Sequence, residues 1–340
     1  MTRAYLSAIE YYLPDFVLDN AAIHAVHPEW SVDKIAAKTG IEGRHIAAAD
    51  EYASDMAVRA AEALFARAGV DRSRVDYLLF CTQSPDYFLP TTACILQDRL
   101  QLDKRVGALD FNLGCSGFVY GLGLAKGLLF SGQARNVLLI TSETYSKFIH
   151  PDDKSNKTIF GDGAAAVMIS VDKAPGLPGE ILDFHYGTDG SGYQDLIVRN
   201  GGMRGRYAKG TDIKNEDTDA FLKNDDYLFM DGKAIFDFTA FRIPTLVKET
   251  LEKNALSIED VDLFVFHQAN EFMLQTVRKR CGIPAEKFYI RLRQSGNTVS
   301  STIPIALREA VSDGSIRSGA KVLIAGFGVG LSMGAAVLQF

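Results

Sequence analysis

RAGVDRSRVDYLLFC, residues 67–81, can be laid without a gap on KNALSIEDVDLFVFH, residues 253–267. Val75-Asp76 then meets Val261-Asp262, Phe80 meets Phe266, and Cys81 stands opposite His267. Farther along, Cys115 begins a helical pattern that ends near Ser131-Gly132 and leads to the strand NVLLITSE. Asn297 begins one that ends near Asp313-Gly314 and leads to KVLIAGFG. The separation from Cys115 to Gly132 equals that from Asn297 to Gly314. Any βα unit alternates an apolar strand with an amphipathic helix, so chance is the competing explanation. A duplication is the sharper one: two halves, 1–172 and 173–340, related by a pseudo-twofold, each a small sheet with helices. The turns at the strand ends of both halves would then meet at one place, where active sites of open α/β sheets form.

The composition suits such a molecule. The chain has 340 residues, 47% of them apolar, and a mean hydropathy of +0.01, enough for one large layered core or two packed halves. Glycine is frequent at 30 and proline scarce at 10, and β-branched runs alternate with helix-length amphipathic ones, as in α/β proteins. A net charge of −6 argues against bulk affinity for nucleic acid or an anionic membrane. No run reaches about 18 uninterrupted apolar residues, and Glu10 and Pro14 break the opening segment, so neither membrane insertion nor a secretory leader is expected. The cysteines Cys81, Cys94, Cys115 and Cys281 show no paired spacing, which fits reduced thiols in a cytoplasmic protein rather than a disulfide frame or a zinc site. The stretch 186–226, dense in Gly, Asn and Asp, is expected as a surface excursion or a lid.

Three residues fall at equivalent strand-to-helix turns. Cys115 in NLGCSGF (112–118) is either a nucleophile or a small apolar filler. His267, closing the strand pattern VDLFVF, is either a satisfied hydrogen-bonding residue or a catalyst, and Asn297 is either a helix N-cap or a ligand to substrate. Together they suit acyl transfer to and from a thioester. A thiolate at a helix N-terminus is favoured by the helix dipole and finds backbone N–H groups for an oxyanion. An amide and an imidazole can hold a second thioester carbonyl by two hydrogen bonds, favouring the enolate left when carbon dioxide departs.

Seven stretches in order make the sequence resemble the thiolase superfamily, most closely its β-ketoacyl-acyl-carrier-protein (ACP) synthase III branch. They are TGIEGRHIAA (39–48), FLPTTACILQDRL (88–100), LGCSGF (113–118), TIFGDGAAA (158–166), FHQAN (266–270), SGNTVSSTIPIAL (295–307) and GFGVGLSMGAAVL (326–338). The resemblance implies an α/β fold of five layers, αβαβα, built from two pseudo-duplicated halves and forming a homodimer. It implies Cys115 as the nucleophile that takes the primer acyl group, with the backbone N–H groups of Cys115 and Val329 as the oxyanion hole. His267 and Asn297 would bind the malonyl thioester carbonyl. Phe327 matches a phenylalanine beside the departing carboxylate, with core packing as its other explanation. Leu89 stands where a phenylalanine crosses the dimer interface to cap the primer pocket. Lys279 and Arg280 match basic residues that dock the carrier protein, although a solvated helix face explains them equally. Acyl-CoA or acyl-ACP and malonyl-ACP would be the substrates, with ACP as partner and with no metal or organic cofactor. Gly161-Asp162-Gly163 reads as turn chemistry rather than a phosphate cradle.

Several positions depart from the family. Trp30 lies farther from Thr39-Gly40-Ile41 than the adenine-stacking tryptophan of CoA-primed members. Lys38 replaces an arginine, and 150–158 offers only lysines where a second stacking arginine would fall; an ammonium does not reproduce a guanidinium plane. Phe272 replaces a carrier-docking arginine. The remaining alternatives are a type III polyketide synthase-like enzyme, an acyltransferase without decarboxylation, and, from another class, a non-catalytic partner subunit of a synthase complex.

Overall fold

The computed structural model describes residues 2–214 and 221–340. Nine strands form one ladder: β1 (Tyr5–Tyr12), β2 (Tyr77–Cys81), β3 (Gly107–Phe111), β4 (Asn136–Glu143), β5 (Gly163–Ser170), β6 (Gly179–Thr188), β7 (Leu263–Phe266), β8 (Lys321–Gly328) and β9 (Ser332–Gln339). Their spatial order is β7-β8-β9-β6-β1-β5-β4-β2-β3. The order is a mirror about the β1–β6 junction, where the strands pair only at Tyr5 with Glu180 and Leu6 with Gly179. In each half a parallel pair (β2 with β4, β7 with β8) is followed by antiparallel partners. Among the described residues the second half has no full counterpart of β3, and a bridge from Phe288 to Phe264 stands in its place.

Seven helices complete the layers: α1 (Val32–Thr39), α2 (Ala53–Arg67), α3 (Thr92–Arg99), α4 (Gly117–Phe130), α5 (Gly232–Lys253), α6 (Glu271–Arg280) and α7 (Thr302–Ser312). Helix α4 touches β4 and β2 of one half and β8 and β9 of the other, and α7 touches β1, β5 and β7. The two halves of the sheet therefore face each other across α4 and α7. Helices α2 and α3 cover the outer face of the first half, and α5, with α6 packed on it, covers the second. The result is the five-layered αβαβα arrangement.

This layering explains why β4 and β8 read as continuous apolar runs. A strand with helices on both faces has no polar side. Val137 and Leu139 join the central cluster with Leu122 of α4 and Leu307 of α7, while Leu138 and Ile140 join the outer cluster with Met56 and Leu64 of α2. Helices α4 and α7 are each followed by a glycine in left-handed conformation, Gly132 (φ 75°) and Gly314 (φ 78°), which ends them at matching places. The stretch 186–226 is less irregular than expected. Its first residues complete β6, because Thr188 still finds a partner in Ser332, and Leu196–Ile197 pairs with Phe229–Met230. Residues 215–220 of that stretch lie outside the described residues.

The duplication extends to hydrogen bonds. Asp76 Oδ2 accepts from the N–H groups of Arg135 and Asn136 (2.8 and 2.9 Å), and Asp262 Oδ2 accepts from Lys321 N–H (2.8 Å), so each carboxylate anchors the start of the neighbouring parallel strand. Replacing Asp76 or Asp262 by alanine strands these donors and is expected to cost about 1–3 kcal/mol in urea unfolding. Wild-type stability of both variants would show that the carboxylates are ornamental.

Candidate active site

Cys115 follows β3 through Asn112-Leu113-Gly114 and lies two residues before α4. It packs directly on the end of β8. A Cβ on Gly326 would stand 2.7 Å from the Cys115 carbonyl oxygen, and one on Gly328 would stand 2.8 Å from Sγ. Gly114 is crowded in the same way by Gln83 and Val329. These glycines let two backbones from different halves touch at the sulfur.

The other two residues arrive from the second half. His267 continues the β7 ladder by donating its N–H to Ala325 O (2.8 Å), which leaves its side chain at the carboxyl end of the parallel pair. Asn297 is held across the seam: its N–H donates to Ile159 O (2.9 Å) and its carbonyl accepts from Gly161 N–H (3.0 Å). Gly296 makes this possible, since its φ is +65° and a Cβ there would lie 2.8 Å from Ile159 O. Asn297 is not the N-cap of α7, which is Ser301. Its Oδ1 accepts from Val299 N–H (2.9 Å), which fixes the amide with Nδ2 on the other side, 3.5 Å from His267 Nε2. Asp162 is likewise structural: its buried carboxylate accepts from Ala47 N–H and Ser146 N–H (2.8 and 2.9 Å) and from the Ser146 hydroxyl.

Cys115, His267, Asn297 and Phe327 line one cavity of about 750 Å³. All four are buried, whereas Lys38 and Phe272, on the same wall, are exposed, so the cavity runs from a solvated rim to a buried base. Phe327 presents its ring edge-on to His267, with centroids 5.8 Å apart. Trp30, despite its distance in sequence from Thr39, reaches this wall, because α1 carries Lys38 to within 5.0 Å of its ring centroid. Leu89 does not line its own chain's cavity and is 86% exposed. Lys279 and Arg280 sit in the last turn of α6, outside the cavity, with the Arg280 guanidinium 4.6 Å from the Phe241 ring centroid.

Burial reverses one expectation from sequence. Desolvation outweighs the donors at the helix entry and, with buried Glu143 adding to it, pushes Cys115 up to about 12. Backbone N–H groups of Val329 and Cys115 hydrogen-bond the sulfur and pull the other way. Desolvation also holds His267 down at about 3, so its imidazole is neutral. Glu143 is the unforeseen member. Its carboxyl is raised by burial to about 8 and accepts from Gln83 N–H (3.2 and 3.0 Å), Ser84 Oγ (3.3 Å) and Ser300 Oγ (3.0 Å). Only its place at the end of NVLLITSE, on a strand that burial makes two-sided, hinted at it. Among the described residues there is no cluster of His, Cys, Asp and Glu that could hold a metal ion, and no helix long and apolar enough to cross a membrane.

Fold and cavity together define the class: an acyl-transferring enzyme of layered α/β fold, with a buried cysteine lining its cavity. Residues 109–190 match the family model of 3-oxoacyl-ACP synthase III, and residues 251–340 match that of its C-terminal part. The chain is 35% identical, over the full length of both, to a β-ketoacyl-ACP synthase III of Clostridium perfringens. A crystal structure of a 3-oxoacyl-ACP synthase III superposes with a TM-score of 0.95 at 43% identity, covering 99% of this chain and 100% of that one. The 3-oxoacyl-ACP synthase of Burkholderia xenovorans gives 0.88 at 33% identity, covering 99% and 94%. The chain belongs to the 3-oxoacyl-ACP synthase III family, whose members are acyltransferases of the condensing type.

Because the thiol sits so far above neutrality, the thiolate fraction rises tenfold per pH unit across the working range. Peptide mass spectrometry after a brief iodoacetamide pulse is expected to show Cys115 labelling climbing without a plateau from pH 7 to pH 9. A plateau below pH 8 would contradict the raised thiol.

Proposed function

We propose that this enzyme loads an acyl primer onto Cys115 and condenses it with malonyl-ACP. The observation that supports this best is the convergence of Cys115, His267 and Asn297 on one cavity, with the Cys115 and Val329 N–H groups at the sulfur. In loading, the thiol attacks an acyl thioester. The S–H proton passes to the departing carrier thiol, and the oxyanion is held by the N–H groups of Cys115 and Val329. In condensation, the malonyl thioester carbonyl accepts from His267 and Asn297. The C–C bond to its carboxylate breaks, carbon dioxide leaves, and the electron pair forms an enolate stabilised by those two donors. The enolate carbon attacks the Cys115 thioester, the C–S bond breaks, and the sulfur takes up a proton from solvent as the 3-oxoacyl thioester forms. Phe327 keeps the surroundings of the departing carboxylate apolar, which favours loss of its charge as carbon dioxide. These steps use thioester substrates and groups of the protein, without an organic cofactor.

In this scheme the halves 1–172 and 173–340 divide the labour. The first supplies the nucleophile, and the second supplies the malonyl-binding pair and half of the oxyanion hole. The exposed basic end of α6, with Lys279 and Arg280, suits the acidic surface of a carrier protein, on the helix whose other end lines the cavity. Strand β3 has an unpaired edge with Leu109 exposed, and Tyr87, Phe88 and Leu89 are exposed too. A second copy would cover this surface and bring Leu89 towards a partner's cavity.

Intact-mass spectrometry with a panel of acyl-CoA and acyl-ACP donors is expected to show one acyl group on the wild type and none on Cys115→Ala. His267→Ala and Asn297→Ala are expected to load but to release carbon dioxide from malonyl-ACP about 10²–10³-fold more slowly, as for loss of an oxyanion donor. Absence of any adduct on Cys115 would overturn the proposal.

A further inference from the structure

His267 has a third partner that the scheme above does not use. Its Nδ1 lies 2.8 Å from Thr302 Oγ1, the hydroxyl of the first residue of α7, and both side chains are buried. The imidazole is neutral and carries a single N–H, so what Thr302 does with its one hydroxyl proton decides which ring nitrogen holds it.

Two acceptors compete for that hydroxyl proton, Nδ1 at 2.8 Å and Val299 O at 3.0 Å. The Val299 backbone also lies within reach of the ring, where it favours the protonated imidazole. Val299 O already accepts the backbone N–H of Thr302, so it stays satisfied if the hydroxyl turns to Nδ1. On the opposite side of the ring, Nε2 and Asn297 Nδ2 are 3.5 Å apart, too far for a good hydrogen bond between them. That spacing suits two donors sharing one oxygen. The Asn297 amide is already oriented as such a donor, because Val299 N–H occupies its Oδ1. Val299 performs both tasks from a left-handed backbone (φ 54°), a conformation that a β-branched residue seldom adopts and that the surrounding contacts must impose.

We propose that Thr302 is a positioning residue: its hydroxyl donates to His267 Nδ1 and so keeps the imidazole proton on Nε2, beside Asn297 Nδ2, facing the substrate. This rests on the reading that His267 and Asn297 hold the malonyl thioester carbonyl. It adds that Val299 and Thr302 orient both donors, so the pair is pre-set before substrate arrives. No covalent change occurs at Thr302.

The proposal separates the two half-reactions. Thr302→Val keeps shape and burial but removes the donor, leaving Nδ1 free to take the ring proton. Release of carbon dioxide from malonyl-ACP is expected to fall about 10²-fold in this variant, with acyl loading on Cys115 little changed, and Thr302→Ser is expected to restore most of the rate. Equal losses in both half-reactions, or wild-type decarboxylation by Thr302→Val, would overturn it. A ¹⁵N–¹H spectrum of His267 in the wild-type protein tests the tautomer without any substrate: the proton is expected on Nε2, and a proton on Nδ1 would overturn the proposal. If the wild type released no carbon dioxide at all, the malonyl reading would fall while the spectrum still decided the tautomer.

Discussion

Cys115 can occupy the seam between the two halves only because Gly326 and Gly328 of β8 leave room for it. A single methyl at either position would stand less than 3 Å from an atom of Cys115. The same device recurs on the other side, where Gly296 and Gly161 let the Asn297 segment lie against the loop that follows Thr158. Arg44 fastens that loop from behind. Its fully buried guanidinium donates to Leu18 O, Asn20 Oδ1 and Thr158 O, joining three segments where no side chain of opposite charge forms an ion pair with it among the described residues. The duplicated sheets bring strand ends together, and glycine contacts turn that proximity into a site.

Close packing also sets the electrostatics. The base of the cavity and the packing behind it are dry enough to keep the Cys115 thiol, the His267 imidazole and the buried Glu143 carboxyl neutral near pH 7, each displaced in the direction that desolvation dictates. In the proposed scheme charge is generated only transiently, and fixed N–H groups would meet it: those of Cys115 and Val329 at the sulfur side, and those of Asn297 and His267 at the carbonyl side. Such donors need no reorganisation as the enolate or oxyanion forms, which is the principal economy of a preorganised site. A neutral imidazole there fits the proposed part of hydrogen-bond donor rather than that of a cationic acid.

Much of this was legible in the residues. NVLLITSE and KVLIAGFG coincide with β4 and β8, because a strand covered on both faces leaves an unbroken apolar run. The match between 67–81 and 253–267 was visible because Asp76 and Asp262 make equivalent anchoring hydrogen bonds, and Cys115, His267 and Asn297 stood at equivalent turns. What stayed hidden depends on packing between distant segments. The direction of the thiol shift follows from burial by both halves, which no local pattern reports. Glu143 looks like the polar end of a strand until the loop 82–84 and Ser300 close over it. Thr302 looks like an ordinary helix-starting residue, and only the fold puts its hydroxyl on an imidazole 35 positions away. The distance of Trp30 from Thr39 along the chain did not show that it reaches the cavity, which it does because α1 and the segment before it fold back to the rim.

The most direct test is the mass of the carrier protein after one turnover. Wild-type enzyme, loaded with the acyl donor it accepts, is mixed with malonyl-ACP and the carrier is weighed. The expected product is ACP that has lost carbon dioxide from its malonyl group and gained the primer acyl group, with Cys115 returned to the free thiol. Malonyl-ACP recovered unchanged beside a persistently acylated Cys115, or a carrier bearing the primer alone, would contradict the assignment of His267 and Asn297 as the pair that turns malonate into the nucleophile.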